Sequence, residues 1–121
     1  FHIDSVYDQV YRGYNSELRL TGLTQAVEAT RGVAVTYNNQ IVITPYFSNS
    51  DGRTRDWTEV WGGAAMAWLK SVLVPEDNGK TLFGHGVGLS ARGALLMVNN
   101  GKGWQEVLKY FYTGTQVQKV Y

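Results

Sequence analysis

Two consecutive asparagines between two strand-like runs constrain the fold of this chain more than any other feature. Apolar or aromatic residues alternate with smaller ones in Val33–Tyr37, and Gln40–Thr44 is again rich in β-branched residues. Asparagine tolerates the positive φ angles that a two-residue turn requires, so Asn38 and Asn39 are typical of a tight hairpin. The pattern predicts an antiparallel pair of strands, the second of which ends or bends at Pro45.

Capping residues and glycines predict about three helices. The segments are Thr24–Arg31, Ala91–Asn99 and Trp104–Tyr112. Ser90 offers an N-cap hydroxyl to the second helix, and Gly101 ends it. The first helix is short, so its stability is expected to come from packing Leu23 and Val27 onto a sheet.

The other segments predict a small sheet and polar connections. Phe1–Tyr14 is interpreted as an extended entry segment, Glu76–Lys80 as a polar loop, and two segments as strands, Trp68–Val74 and Thr115–Tyr121. Asp56, followed three residues later by Glu59, is typical of a capping box around a single helical turn. The sequence therefore predicts an α+β fold, not a doubly wound one. It would have a small mixed or antiparallel sheet and about three helices in a single domain, residues 1–121.

Composition excludes several functional classes. Hydrophobic residues make up 44% of the chain and charged residues 17%, which is a globular composition. The formal net charge of +1 argues against a strongly basic nucleic-acid binder. There is no cysteine and no apolar run long enough to predict a membrane span. Because the first residue is Phe1 rather than Met, we expect a mature, proteolysed or truncated piece of a longer protein.

A cluster of glycines surrounds one of the histidines. Gly84, Gly86 and Gly88 alternate with His85 and Val87. This density indicates a backbone with positive φ or a very close approach to another segment. With a helix opening just after it, the loop is a candidate for a cleft that binds an anion or a polar sugar oxygen. The alternative is a tight loop whose histidine makes an ordinary buried hydrogen bond.

A second polar cluster spans Tyr46–Thr54. Ser48 and Ser50 offer hydrogen-bond donors and acceptors, and Arg53 is suited to a carboxylate or a sulfate-like group. The alternative is a solvated loop in which these side chains bond to their own backbone.

Aromatic residues and histidines carry weaker signals. Four tryptophans and eight tyrosines would suit stacking on sugar rings, although core packing accounts for most of them. Trp104 is expected in the core because it lies on an apolar helix face. His2 and His85 lack the ligand clustering of a zinc site, so neither a metal nor another cofactor is expected.

Five stretches follow one another in an order known from one family. They are Gln9–Gly13, Ala26–Gly32, Tyr46–Gly63, Gly84–Ser90 and Trp104–Gly114. In this order, and over nearly the whole chain, they resemble the SpoIID/LytB family, named for stage II sporulation protein D. The glycine-flanked histidine and the serine-rich loop are specific in combination.

The resemblance implies cell-wall chemistry. SpoIID-type enzymes are lytic transglycosylases that cut the glycan strands of peptidoglycan, whereas LytB-type relatives are described as enhancers of a cell-wall amidase. A lytic transglycosylase uses one glutamate as acid and then as base. The glutamate protonates the glycosidic oxygen, and the muramyl hydroxyl then closes an anhydro ring in place of water. Such a glutamate needs a pKa raised by an apolar cleft.

The chain departs from the family pattern at several positions. The family's catalytic glutamate lies on a helical segment before the region that matches Phe1, so it is expected upstream of this chain. Some members bind zinc through a histidine and two cysteines at six-residue steps. Counted from His2, these steps reach Asp8 and Tyr14, so that metal site is expected to be absent. Longer members insert a subdomain between the Trp61 region and the histidine loop, and this chain resembles a compact version.

These observations lead to two hypotheses. In the first, the chain is the core of a peptidoglycan-cleaving domain in the cell envelope or outside the cell. His85 and Ser90 would act at the reaction centre, and the glycan cleft would be lined by Ser48, Ser50, Arg53 and Trp61. In the second, the chain is a non-catalytic module that binds glycan or modulates an amidase. The fragment alone is expected to be inactive, with glycan strands, a cell-wall amidase or the cleaved N-terminal segment as candidate partners.

Overall fold

A computed structural model describes residues 21–121 of the chain. The extended segment predicted for Phe1–Tyr14 lies outside the described residues, and so do the matching stretch Gln9–Gly13 and the three positions compared with a zinc site. The chain divides into two compact units, Phe1–Gly32 and Val33–Tyr121.

Helix α1, Thr21–Ala29, belongs to the first unit. It begins before the predicted start at Thr24. After its last residue, the Thr30 hydroxyl donates to the Ala26 carbonyl oxygen at 2.8 Å. Gly32 then has a φ of 75°, so the chain leaves the helix by way of the predicted glycine.

The apolar side chains of helix α1 are exposed. Leu23 is 54% exposed and Val27 is 61% exposed. The prediction that these two side chains pack onto a sheet stays a prediction, because the described sheets belong to the second unit. Local bonds at the end of the helix, such as that of Thr30, satisfy its last carbonyl groups.

A three-stranded antiparallel sheet opens the second unit. Its strands, in spatial order, are β2 (Gln40–Ile41), β1 (Val33–Tyr37) and β5 (Gln116–Lys119). The predicted hairpin is confirmed, with φ angles of 52° at Asn38 and 63° at Asn39. The second strand is shorter than predicted, because only two residue pairs join it to β1. The predicted C-terminal strand is confirmed as β5, which pairs with β1 along four residues.

A second, two-stranded sheet joins distant parts of the sequence. Strands β3 (Tyr46–Phe47) and β4 (Leu89–Ser90) pair in parallel, with Tyr46 opposite Leu89 and Phe47 opposite Ser90. The serine-rich loop follows β3, and the glycine-flanked histidine precedes β4. Small sheets with separate helices form an α+β domain, as the sequence predicts.

Three further α-helices and one 3₁₀ turn complete the described part of the second unit. They are α2 (Trp57–Trp61), the 3₁₀ turn Pro75–Asp77, α3 (Ala91–Asn99) and α4 (Trp104–Phe111). The Ser90 hydroxyl caps α3 by accepting from the Gly93 amide at 3.1 Å, as predicted. The Asp56 amide donates to the Glu59 carboxylate at 2.8 Å, which confirms the predicted capping box on α2.

The segment predicted as a strand, Trp68–Val74, is irregular apart from one bridge between Leu73 and Arg53. Its backbone is bonded to a neighbouring loop instead. The Val72 carbonyl accepts from the Thr54 amide at 2.9 Å, and the Val72 amide donates to the Thr54 hydroxyl at 2.9 Å. Side-chain partners replace a regular ladder, so alternation in sequence did not produce a strand.

Two apolar clusters form the core of the second unit. The first joins the 3₁₀ region to α3 and α4, through Val74, Met97, Val107 and Phe111. The second consists of Leu69, Val87 and Tyr112. Trp104, the first residue of α4, lies outside both clusters and is 43% exposed, so its predicted core position is wrong. None of the helices within residues 21–121 is long and apolar enough to cross a membrane.

Candidate functional site

The serine-rich loop and the histidine loop lie side by side. Asn49 and Phe83 exchange both backbone hydrogen bonds, at 3.3 and 3.0 Å, and the Arg55 amide donates to the Gly86 carbonyl at 2.7 Å. Together with the β3–β4 pairing, these bonds hold the two loops against each other. Residues more than thirty positions apart in sequence thus form one surface.

A buried aspartate beneath this surface ties the two loops together. Asp77 is fully buried in the 3₁₀ turn, and its Oδ2 accepts from the Ser50 hydroxyl at 2.7 Å and from the Ser90 hydroxyl at 2.6 Å. The same oxygen accepts from the Ser50 amide at 2.9 Å, while Oδ1 accepts from Arg92 at 3.0 Å. A buried carboxylate with this many donors is satisfied, so it fixes its partners in place.

The hydrogen bonds also determine the charge of Asp77. Burial alone would raise the pKa of its carboxyl. The bonds from the two serines and from Arg92 outweigh burial and hold the pKa below its ordinary value of 3.8. Asp77 is therefore an ionised acceptor at neutral pH, not an acid that can donate a proton.

Glycines allow the histidine loop to approach its neighbours. A Cβ at Gly84, where φ is 107°, would lie 2.7 Å from the Cβ of Phe47. A Cβ at Gly88, where φ is 86°, would overlap the carbonyl oxygen of Pro45. The predicted positive φ angles and close approach are confirmed, and both glycines bring the loop onto β3 and the segment before it.

His85 lies between two aromatic rings. Its imidazole centroid is 5.0 Å from that of Trp61 and 5.6 Å from that of Phe47. Its Nδ1 accepts a hydrogen bond from the Val87 amide at 3.0 Å. Since Nδ1 is the acceptor, the proton of the neutral ring is on Nε2.

The surroundings of His85 keep it neutral. Burial lowers the pKa of the imidazole below its ordinary value of 6.5, and an interaction with the backbone of Tyr46 opposes this shift only in part. The side chain is half-buried, so the ring is still partly accessible to a ligand.

Exposed aromatic rings flank the histidine loop. Trp61 is 47% exposed and packs against Trp57 in a tilted arrangement, with a centroid distance of 4.5 Å. Tyr46 at the start of β3 and Phe83 just before Gly84 are also exposed. Flat apolar faces beside polar groups suit the apolar faces of sugar rings.

The other predicted site residues have different environments. Ser50 and Ser90 are fully buried with their hydroxyls bound to Asp77, so they are not positioned to touch a ligand directly, contrary to expectation. Ser48 is exposed, and its carbonyl accepts from the Arg92 amide at 3.0 Å. Arg53 is paired with Glu59 at 3.1 Å and bonds to the Ser71 hydroxyl at 3.3 Å.

Asp77 is not predicted as a site residue, because in the sequence it belongs to a polar loop. The residues around it indicate only a local turn, which Pro75 begins and acidic residues continue. Its partners lie 27 and 13 residues away, and one sequence without alignment does not reveal such a link. No group of three or more His, Cys, Asp or Glu residues within positions 21–121 could hold a metal ion.

The fold and the site define a class: a small α+β domain in which a glycine-flanked histidine lies beside a serine-rich loop. No family model matches the chain. The chain is similar to stage II sporulation protein D of Bacillus subtilis strain 168, with 26% identity over 186 aligned residues that cover 88% of this chain. This similarity supports a SpoIID-like domain, in agreement with the resemblance of the motifs.

The chain spans about half the length of this curated relative, since the match covers 54% of it. The 186 aligned residues also exceed the 121 residues of the chain, so the relative has residues inside the matched region that this chain lacks.

Proposed function

We propose that this chain is the glycan-facing core of a SpoIID-type lytic transglycosylase that acts on peptidoglycan in an extracytoplasmic, sporulation-related setting. One observation carries the proposal: a neutral, half-buried His85 lies between Phe47 and Trp61 on a loop bonded to the serine-rich loop. Similarity to a protein named for sporulation supports the setting.

His85 would act as a hydrogen-bond donor. Because Nδ1 is occupied by the Val87 amide, a bond to a sugar oxygen would come from Nε2–H, in exchange for the interaction of the imidazole with the Tyr46 backbone. In this role the ring orients the muramyl hydroxyl that closes the anhydro ring. Trp61 would stack on a neighbouring sugar and so fix the strand relative to His85.

The predicted serines and Arg53 would have supporting roles. Ser90 and Ser50 would position the two loops through Asp77, whereas the exposed Ser48 is able to contact the glycan directly. Arg53 would lie at the edge of the glycan-binding surface, where it is paired with Glu59.

The acid/base glutamate is proposed to come from outside residues 1–121, as the resemblance implies. The carboxylates around the two loops are poor candidates, because hydrogen bonds from arginine lower the pKa of Glu59 and of Asp51. Asp77 is likewise held ionised beneath the surface. A general acid needs the opposite, a raised pKa.

The test uses full-length protein and glycan strands stripped of stem peptides, with products analysed by mass spectrometry. We expect anhydromuramyl ends, and His85→Ala is expected to lower kcat about 10²-fold through loss of one oriented donor. Lys119→Ala on strand β5 is the matched surface control and should leave the rate unchanged. Folded full-length protein that releases no anhydromuramyl product would contradict the proposal.

The second candidate function is a glycan-binding or amidase-enhancing module. It is favoured by the engagement of Asp51, Glu59 and Asp77 with cationic or hydroxyl donors, which leaves these acids unsuited to catalysis. Co-sedimentation with stripped glycan without product formation, together with a faster amidase in a mixed assay, would select this function.

A further inference from the structure

A cavity of about 220 Å³ lies away from the histidine loop, between the 3₁₀ turn and helices α3 and α4. Pro75, Met97 and Val107 form apolar walls. Tyr110 adds an aromatic wall, since its hydroxyl is already bound to the Leu73 carbonyl at 2.5 Å. The cavity is smaller than the roughly 300–1,000 Å³ sites of drug-sized ligands, so it suits a single side chain or a fragment.

The cavity is lined by more acidic than basic side chains. Lys102 pairs with Glu106 at 3.4 Å, and both side chains are more than half exposed at the rim. Glu76 also lines the cavity, and its buried Oε2 has no hydrogen-bond partner among residues 21–121. A buried carboxylate oxygen without a donor is costly, so this atom is the unexplained feature of the site.

We propose that this cavity binds a primary ammonium group carried on a short aliphatic chain, with Glu76 as its anionic partner. The ammonium would supply the donor that Oε2 lacks in a charge-assisted hydrogen bond, and the aliphatic chain would contact Met97 and Val107. Oε2 is enclosed in the structure, so binding would turn it toward the cavity about the last torsion of the glutamate, which is soft.

The geometry favours ammonium over guanidinium. A guanidinium binds carboxylates best through two parallel bonds, whereas one unpartnered oxygen suits a compact point charge. Lys102 does not fill this role in the structure because its Nζ is paired with Glu106. The inference does not depend on the proposed glycan chemistry, since no residue around His85 lines the cavity.

The probe is n-butylammonium, titrated into the protein while the methyl signals of Met97 and Val107 are followed by NMR. 1-Butanol and butyrate share the stem and serve as neutral and anionic controls. We expect saturable shifts with n-butylammonium and at least about tenfold weaker binding of both controls. Nα-acetyl-lysine methylamide forms a second arm: comparable binding identifies a lysine side chain as the source, and much weaker binding identifies a free small amine.

Two variants distinguish a specific role of Glu76 from a general effect of the net charge of the protein. Glu76→Gln keeps the shape and is expected to weaken n-butylammonium binding about tenfold, whereas Glu28→Gln, an exposed acid outside the cavity, should not change it. Equal affinity for butanol and n-butylammonium would overturn the proposal, and so would unchanged binding by a folded Glu76→Gln variant.

Discussion

At the scale of the residue, the side chain of Asp77 links the 3₁₀ turn to the serine-rich loop and to the start of α3. It receives hydrogen bonds from Ser50 in the serine-rich loop, from Ser90 at the start of α3 and from Arg92 two residues later. The two buried hydroxyls would lose this acceptor if the carboxylate were removed, whereas Arg92 would keep its bond to the Glu76 carbonyl. The energetic consequence is therefore larger than that of an ordinary surface pair.

Asp77→Ala is expected to reduce the free energy of unfolding by about 3 kcal/mol, because it leaves two buried hydroxyls without this acceptor and a partly buried guanidinium without its ion-pair partner. Urea unfolding followed by tryptophan fluorescence measures this. Asp51→Ala is the matched control, since Asp51 is an exposed partner of Arg55 and its loss should matter much less. Equal losses in the two variants would contradict the assignment of Asp77 as a structural link.

His85 gives a prediction about pH. The folded-state pKa lies below 6.5, so the unfolded chain binds the proton more tightly than the folded protein does. The stability that comes from this group is complete above pH 6.5 and is lost as the pH falls toward the folded-state pKa. NMR titration of the imidazole should give a midpoint below 6.5, and His85→Gln should remove this part of the pH dependence. A midpoint at or above 6.5 would show that the ring is not desolvated.

The sequence allowed the histidine loop to be recognised but not the support beneath it. Glycine density is a local signal, and the positive φ angles at Gly84 and Gly88 follow from it directly. The burial of Asp77 depends on hydroxyls brought in by distant segments, which a local polar pattern cannot encode. The sequence predicts Ser90 at the reaction centre and Ser50 in the glycan cleft, although burial directs their hydroxyls to Asp77.

At the scale of elements, the Asn38–Asn39 turn determines the register of β1 and β2. Both residues have positive φ, as a two-residue hairpin requires. Asn39→Val places a β-branched side chain in this conformation and should reduce stability by about 1–2 kcal/mol. Asn39→Gly, which has no such penalty, should be neutral or slightly stabilising, and thermal unfolding distinguishes the two. A valine variant as stable as the glycine variant would mean that the turn is not under this constraint.

Elements set by local chemistry were predicted well, and those set by distant partners were not. The hairpin, the capping box at Asp56 and the helix after Ser90 each depend on neighbouring residues. The region Trp68–Val74 depends on bonds to the Thr54 region, which lies well before it in sequence. Its alternating pattern therefore reports burial of individual side chains, not a strand.

At the scale of the whole molecule, glycan binding and glycan cleavage should separate. The aromatic surface around His85 lies within the described residues, whereas the acid/base glutamate is proposed to come from outside residues 1–121. We expect the 121-residue chain to bind stripped glycan strands in a co-sedimentation assay and to release no anhydromuramyl product by mass spectrometry. Trp61→Ala should weaken this binding by about 1–2 kcal/mol through loss of stacking. Cleavage by the isolated chain would place the acid among its own residues.

The turn after helix α2 bears on how such a domain changes in length. Gly62 and Gly63 have φ angles of 71° and 74° with open space around them, and the next two residues are exposed. Adding residues at such a tip costs little, because the entropy of closing a loop rises by only about 0.6 kcal/mol for each doubling of its length. Since Trp61 immediately precedes this tip, residues inserted there would lie next to an exposed aromatic ring of the candidate site, so the length of this turn is expected to influence which ligands the site accepts.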